Sequence, residues 1–143
     1  MTKARDPEII ARSVEKTHVW LNELAEELGT EDRQEAYRVL RAFLHAVRDR
    51  LTVDEAAQLA AQLPDLIRGI YYENWDPSAT PRRYHDLDSF LRRIAEEALL
   101  DGETRASYAA AAAGRVLHRH ISGGELEDVL GMLPEGLRAV VAG

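Results

Sequence analysis

Leu21-Asn22-Glu23-Leu24-Ala25-Glu26-Glu27-Leu28 returns 70 residues later, without a gap, as Leu91-Arg92-Arg93-Ile94-Ala95-Glu96-Glu97-Ala98. In both octets the apolar residues stand at the first, fourth, fifth and eighth positions. That spacing gathers them on one face of a helix and leaves the acids on the other. An apolar stripe of this kind is stable only when another element covers it, so two copies predict two helical units that bury each other.

The pattern extends outward from the first octet. Upstream, Ile10, Val14 and Thr17 prolong the same stripe with Leu21, Leu24 and Leu28, back to Asp6-Pro7. Aspartate there suits an N-cap, and proline suits the first helical position, where a missing N–H costs nothing. Downstream, Gly29 predicts a helix end and Thr30 a cap, with Glu31 and Asp32 placed for the positive end of the next helix. Ala36, Leu40, Phe43 and Val47, widened by Val39 and Leu44, form a second and broader stripe. Thr52-Val53-Asp54-Glu55 has the form of a capping box before Ala56, Leu59, Ala60 and Leu63. Pro64 breaks that helix and starts a short one, with Leu66, Ile67 and Ile70 on one side.

The offset persists throughout. Trp20 answers Phe90, Ala36 answers Ala106, and Leu51-Thr52 answers Ile121-Ser122. Glu55 answers Glu125, Leu63-Pro64 answers Leu133-Pro134, and Ile67, Arg68 and Ile70 answer Leu137, Arg138 and Val140. The expected fold is therefore all-α, a compact helical bundle of two tandem repeats. Each has three helices and a short Pro-initiated fourth. Solenoids need three or more units, so two should close on each other within one domain, residues 1–143. The first repeat is expected over 8–71, an ordered hinge over 72–87 and the second repeat over 88–142. Where the first copy has Val39, Leu40 and Phe43, the second has Ala109, Ala110 and Ala113, then Gly114. Either these small residues let a central helix approach its neighbours, or alanine is there for its helix propensity.

Of the 143 residues, 45% are hydrophobic, enough for a sizeable core. The chain has no cysteine, which excludes disulfides, thiolate metal sites and cysteine nucleophiles. With 18 basic against 25 acidic residues the net charge is −7, and no basic face or arm suggests phosphate-backbone contacts. No nucleic-acid partner is expected. No run approaches the ~18 apolar residues of a membrane span, and the start lacks a signal-like apolar segment, so a cytoplasmic protein without a membrane partner is the default.

Between the two copies lies Tyr71-Tyr72-Glu73-Asn74-Trp75-Asp76-Pro77-Ser78-Ala79-Thr80-Pro81-Arg82-Arg83-Tyr84-His85. Two readings of it stay open. Trp75 and the tyrosines can seal the seam between repeats, with Asp76-Pro77 as a turn. Alternatively Tyr71, Tyr72, Trp75, Asp76, Arg82, Arg83 and His85 line a binding groove, since Trp, Tyr and Arg dominate binding hot spots and paired arginines grip carboxylates or phosphates.

Arg50-Leu51-Thr52 before a Glu-Ala-rich helix, then Gln62-Leu63-Pro64, then Tyr71-Tyr72-Glu73-Asn74-Trp75-Asp76-Pro77, resembles the bacterial family catalogued as domain of unknown function 2267. The resemblance covers nearly the whole chain. It implies an all-helical, two-repeat protein and brings no catalytic residue or cofactor with it. Ser122-Gly123-Gly124-Glu125 departs from the motif, which argues against a symmetric pair of sites.

The remaining residues give little chemistry. His18, His45, His85, His118 and His120 show no one-turn pair and no metalloprotease motif, and read as surface histidines rather than metal ligands. Glu26-Glu27, Glu96-Glu97 and Glu127-Asp128 read as solvated helix faces, and no nucleotide-binding glycine loop is present. No catalytic residue, metal or cofactor is expected. The leading expectation is a non-enzymatic protein-interaction or regulatory module, acting on a protein partner or by self-association. The alternative is a small anionic ligand-binding or enzymatic site at the hinge.

Overall fold

The structure, a computed structural model, describes residues 5–81, 87–121, 123–131, 133 and 135–141. Among these residues the chain forms eight helices and no strand. They are α1 (Glu8–Leu28), α2 (Arg33–Arg48), α3 (Val53–Ala61), α4 (Asp65–Tyr72), α5 (Leu87–Ala98), α6 (Glu103–His120), α7 (Gly123–Leu130) and α8 (Glu135–Val141). A single 3-10 turn, Pro77–Ala79, lies between α4 and α5.

Local chemistry sets the boundaries. Gly29 takes the left-handed conformation (φ 71°), and the Gly29 and Thr30 amides donate back to Glu26 and Ala25, closing α1. The Thr52 hydroxyl accepts from the Glu55 amide while Glu55 accepts from the Thr52 amide, the expected capping box of α3. Arg68 then donates from Nε to Ala60 O (2.8 Å), which also accepts from the Leu63 amide, and from Nη2 to Leu63 O (2.9 Å), tying α4 to the end of α3 across the Pro64 break. α5 ends as α1 does, but with Leu99 in the left-handed position (φ 59°) and the Leu100 amide bonded to Ala95 O.

α2 and α6 form the centre. α2 packs against α1, α4, α5 and α6, and α6 against α1, α2, α5, α7 and α8. The broad α2 stripe is buried throughout, with Phe43, Leu40, Val39 and Leu44 out of contact with water. On α6, Ala106, Ala109, Ala110, Ala112, Ala113 and Gly114 are buried among five neighbouring helices, so their small size sets how closely those helices approach. No helix is long and apolar enough to cross a membrane, among the described residues.

Several expectations are corrected. Pro7, not Asp6, occupies the cap position of α1 and makes no side-chain cap bond. Asp32, not Thr30, caps α2, accepting from the Gln34 amide at 2.9 Å; Thr30 instead accepts from the Asp32 amide. The largest change is along α1. Ile10 and Val14 do not belong to the buried stripe: they are 50% and 41% exposed, because the first three turns of α1 overhang the body of the bundle. Leu66 is exposed as well, since α4 turns only its Ile67 and Tyr71 side inward. Ser122 and Pro134, the expected second cap and second helix break, lie outside the described residues.

Candidate functional site

The hinge aromatics are held from below. Tyr71 is buried in the last turn of α4 and its hydroxyl donates to Ala56 O of α3 at 2.8 Å. Burial pushes its phenol well above the ordinary range. Tyr72 meets Tyr71 edge-on (5.3 Å between ring centroids) and Trp75 at a tilt (5.2 Å), and both partly cover the core. The indole Nε1 of Trp75 is buried without a hydrogen-bond partner among the described residues. Asp76 caps the 3-10 turn, accepting from the amide and the hydroxyl of Ser78. Tyr71, Tyr72 and Trp75 thus come together as a packed ladder. Arg82, Arg83 and His85 lie outside the described residues.

Behind the hinge is a buried charged junction. Arg41, His45 and Arg48 recur along α2 at spacings of four and three, which aligns them on one face. The face meets Arg93 and Glu97 of α5 and the C-terminal end of α4. His45 is 1% exposed, and its Nδ1 lies 2.7 Å from Glu97 Oε1 and its Nε2 2.7 Å from Ile70 O. A carbonyl and a carboxylate both accept hydrogen bonds, so each ring nitrogen of His45 faces an acceptor. Arg41 bridges Glu73 Oε2 (3.0 Å) and Glu97 Oε1 (3.2 Å).

Arg48, 2% exposed, donates Nε to Asp49 Oδ1 (2.8 Å) and Nη1 to both Tyr71 O and Glu73 O (2.7 Å each). Arg93 reaches the other oxygen of Asp49 at 2.6 Å. Arg48 and His45 of α2 therefore sit on the last carbonyls of α4, where a helix carries partial negative charge. Burial pushes the Glu97 carboxyl up, but the bond from His45 and the charges of His45, Arg41 and Arg93 outweigh it and hold it below the ordinary carboxylate range. Asp49 behaves likewise: burial raises it, and the bonds and charges of Arg48 and Arg93 bring it below its ordinary value.

His45 and Glu97 have the look of an acid–base pair, but the geometry gives them another task. A catalytic imidazole needs one nitrogen directed at substrate. Here both are consumed, one by a carboxylate and one by backbone, away from water. The junction is a fastening between α2, α5 and the hinge. His45 was expected at the surface and Glu97 on a solvated face, and both expectations fail for this reason, whereas His18, His118 and His120 are exposed as expected and His85 lies outside the described residues. The 41-45-48 spacing was the available signal.

A second set of ion pairs joins α1 to α6. Glu27 accepts from Arg115 Nε (2.8 Å) and also pairs with Arg119, and these bonds hold its carboxyl below the ordinary range. His120 stacks on Trp20 (4.8 Å, 19° between planes) and its Nε2 lies 2.5 Å from Glu23. Among the described residues no three His, Asp or Glu side chains come together in a way that could hold a metal ion.

The overhanging half of α1 completes the surface. At helical spacing Pro7, Ile10, Ala11, Val14, Thr17 and His18 share one uncharged face, and Glu8, Arg12, Glu15 and Lys16 stand on the other. Ile10 and Val14 continue outward the line that Leu21, Leu24 and Leu28 present to the core.

An all-α protein built on two central helices, with the end of α4 fastened to α2 by buried polar bonds, is the class these features define. The chain belongs to the family described as "Uncharacterized conserved protein (DUF2267)", whose profile matches residues 17–140. No curated protein matches it.

Proposed function

We propose that this protein is a non-enzymatic interaction module that presents the overhanging half of α1 to an apolar groove of a partner protein. The observation that carries this reading is the exposure of Ile10 and Val14 on a face without charge. An amphipathic helix normally buries such a face, and grooves that accept one read it through anchors at i, i+4 and i+7. Ile10, Val14 and Thr17 provide that register. The alternative, a small anion held at the hinge, has less support. The clefts of about 540, 520 and 350 Å³ are lined by residues other than Tyr72 and Trp75. Asp76 is already engaged by its own turn.

As part of the same reading the chain is a bacterial, cytoplasmic protein and a duplicated unit. Its net charge of −7 supports a protein partner rather than nucleic acid. Helix starts at 33, 53 and 65 return at 103, 123 and 135, which supports the duplication. So does the ion pairing: Glu27 with Arg115 and Glu97 with His45 are related by the same offset of 70.

The test places a photocrosslinking residue at Ile10 or, as a control, at Glu15 in the full chain produced in its native host. The expected result is one protein captured at Ile10 and not at Glu15. With that protein purified, Val14→Asp is expected to weaken binding at least about tenfold, as loss of a buried apolar anchor does. Equal capture from both positions refutes the proposal.

A further inference from the structure

A cleft of about 540 Å³ lies on the opposite side of α1, between its first turns, the α3–α4 corner and the end of α6. Its size falls within the range of small-molecule sites. Arg12, Lys16 and Arg68 line it against one carboxylate, Asp65, an excess of two positive charges in a chain that is net acidic. Ile9, Val19 and Leu63 supply an apolar wall, and the stacked Trp20–His120 pair closes the inner end.

The cations differ in how they are held. Arg68 is fixed by its two bonds to the α3 carbonyls, and Asp65 is 3.6 Å from its Nη1. It is therefore pre-positioned and needs no ordering when a ligand arrives. Arg12 pairs with Glu8 one turn back, an exposed i,i+4 pair that contributes little and exchanges readily. Lys16 has no ion pair among the described residues. His120 is turned toward Glu23, its Nε2 2.5 Å from Oε2.

We infer that this cleft binds a small amphipathic dianion of the phosphate-monoester class, its phosphate between Lys16, Arg12 and Arg68 and its apolar group against Ile9, Val19 and Leu63. The positive lining favours an anion, and the Arg12–Glu8 pair is exposed enough to yield Arg12 to it. Arginine and lysine together are the side chains that recognise phosphate, one through a planar fork and one as a point charge. The apolar wall separates such a ligand from free phosphate, which leaves that surface uncovered. The inference is independent of the partner-binding face, since Ile10 and Val14 do not line the cleft.

Phenyl phosphate is the probe, titrated into the full chain with inorganic phosphate and phenol as comparisons. The readout is the indole and backbone amide NMR signals of Trp20, assigned with the help of Trp75→Phe. Phenyl phosphate is expected to give a saturable shift at Trp20 and to bind about tenfold more tightly than either comparison compound. Lys16→Glu reverses one exposed charge; it is expected to weaken binding about tenfold or more while leaving the urea midpoint unchanged. No saturable shift, equal binding of inorganic phosphate, or an unaltered affinity in Lys16→Glu overturns the inference.

Discussion

Replacing Arg48 by methionine tests the junction most directly. Methionine fills most of the space of the arginine stem but offers no donor. The substitution leaves Tyr71 O and Glu73 O without the bonds that close α4, and Asp49 without the donor at its Oδ1. Breaking a buried ion pair from one side costs roughly 3–5 kcal/mol, and each buried acceptor left unpaired costs about 1–3 kcal/mol. These penalties overlap, because Arg93 still holds the second Asp49 oxygen and water can enter at the edge near Glu73. A net loss of about 3–5 kcal/mol is expected. At about 3–4 °C per kcal/mol for a chain of this size, that lowers the melting point by roughly 10–20 °C. The assay is urea unfolding followed by circular dichroism, beside Arg12→Met, which breaks an exposed pair and is expected to cost less than about 1 kcal/mol. Asp49→Asn in the Arg48→Met background should recover part of the loss by removing a buried charge that has lost one of its two cations. If Arg48→Met and Arg12→Met unfold at the same urea concentration, the junction is not what holds the hinge.

Two further outcomes follow from the same contacts. Glu97 and Asp49 are both held below their ordinary values, so the folded protein takes up their protons less readily than the unfolded chain does. Their contribution is complete above the unfolded-chain values of about 4 and is lost as pH falls through the lower folded values. The urea midpoint is therefore expected to hold steady from neutral pH to near ~5 and to drop below ~4. A Glu97→Gln, Asp49→Asn variant should show a shallower acid limb, with the remainder due to Glu27; an unchanged limb contradicts the assignment. Leu99 is 75% exposed and left-handed, so Leu99→Gly removes backbone strain without loss of packing. It is expected to stabilise by about 0.5–1 kcal/mol, measured as a higher melting point.

Most of the helices were legible in the sequence because their signals are local. The Thr52–Glu55 box, the Gly29 end and the Pro64 break each act within one turn, and the stripe through Leu40, Phe43 and Val47 needs only a neighbour of some kind. What escaped depends on distance. Ile10 and Val14 obey the same periodicity as Leu24, and nothing in their spacing says that the bundle stops before it reaches them. His45 and Glu97 are 52 residues apart in sequence, and composition alone gives each a place in water. Their burial is decided by which helix lies opposite, which a single chain does not display. At the hinge, Tyr71, Tyr72 and Trp75 were recognised as a group, while the side chains behind them were not, because Arg41, His45 and Arg48 read as the polar side of α2.

The crossed pairing of α1 with α6 and α2 with α5 also bears on how the protein reaches its fold. Helical proteins are ordinarily quick to fold because their contacts are short in sequence. Here the ion pairs span 52 residues from His45 to Glu97 and 88 from Glu27 to Arg115, so large loops must close before either set forms. During synthesis α3 and α4 follow α2 before α5 appears, so Arg48 can already reach Tyr71 O and Glu73 O while His45 and Arg41 still lack Glu97. Formation of the native centre then waits for residue 97 and beyond. Refolding rates nearer to those of mixed α/β domains than of simple bundles are the kinetic signature of such connectivity.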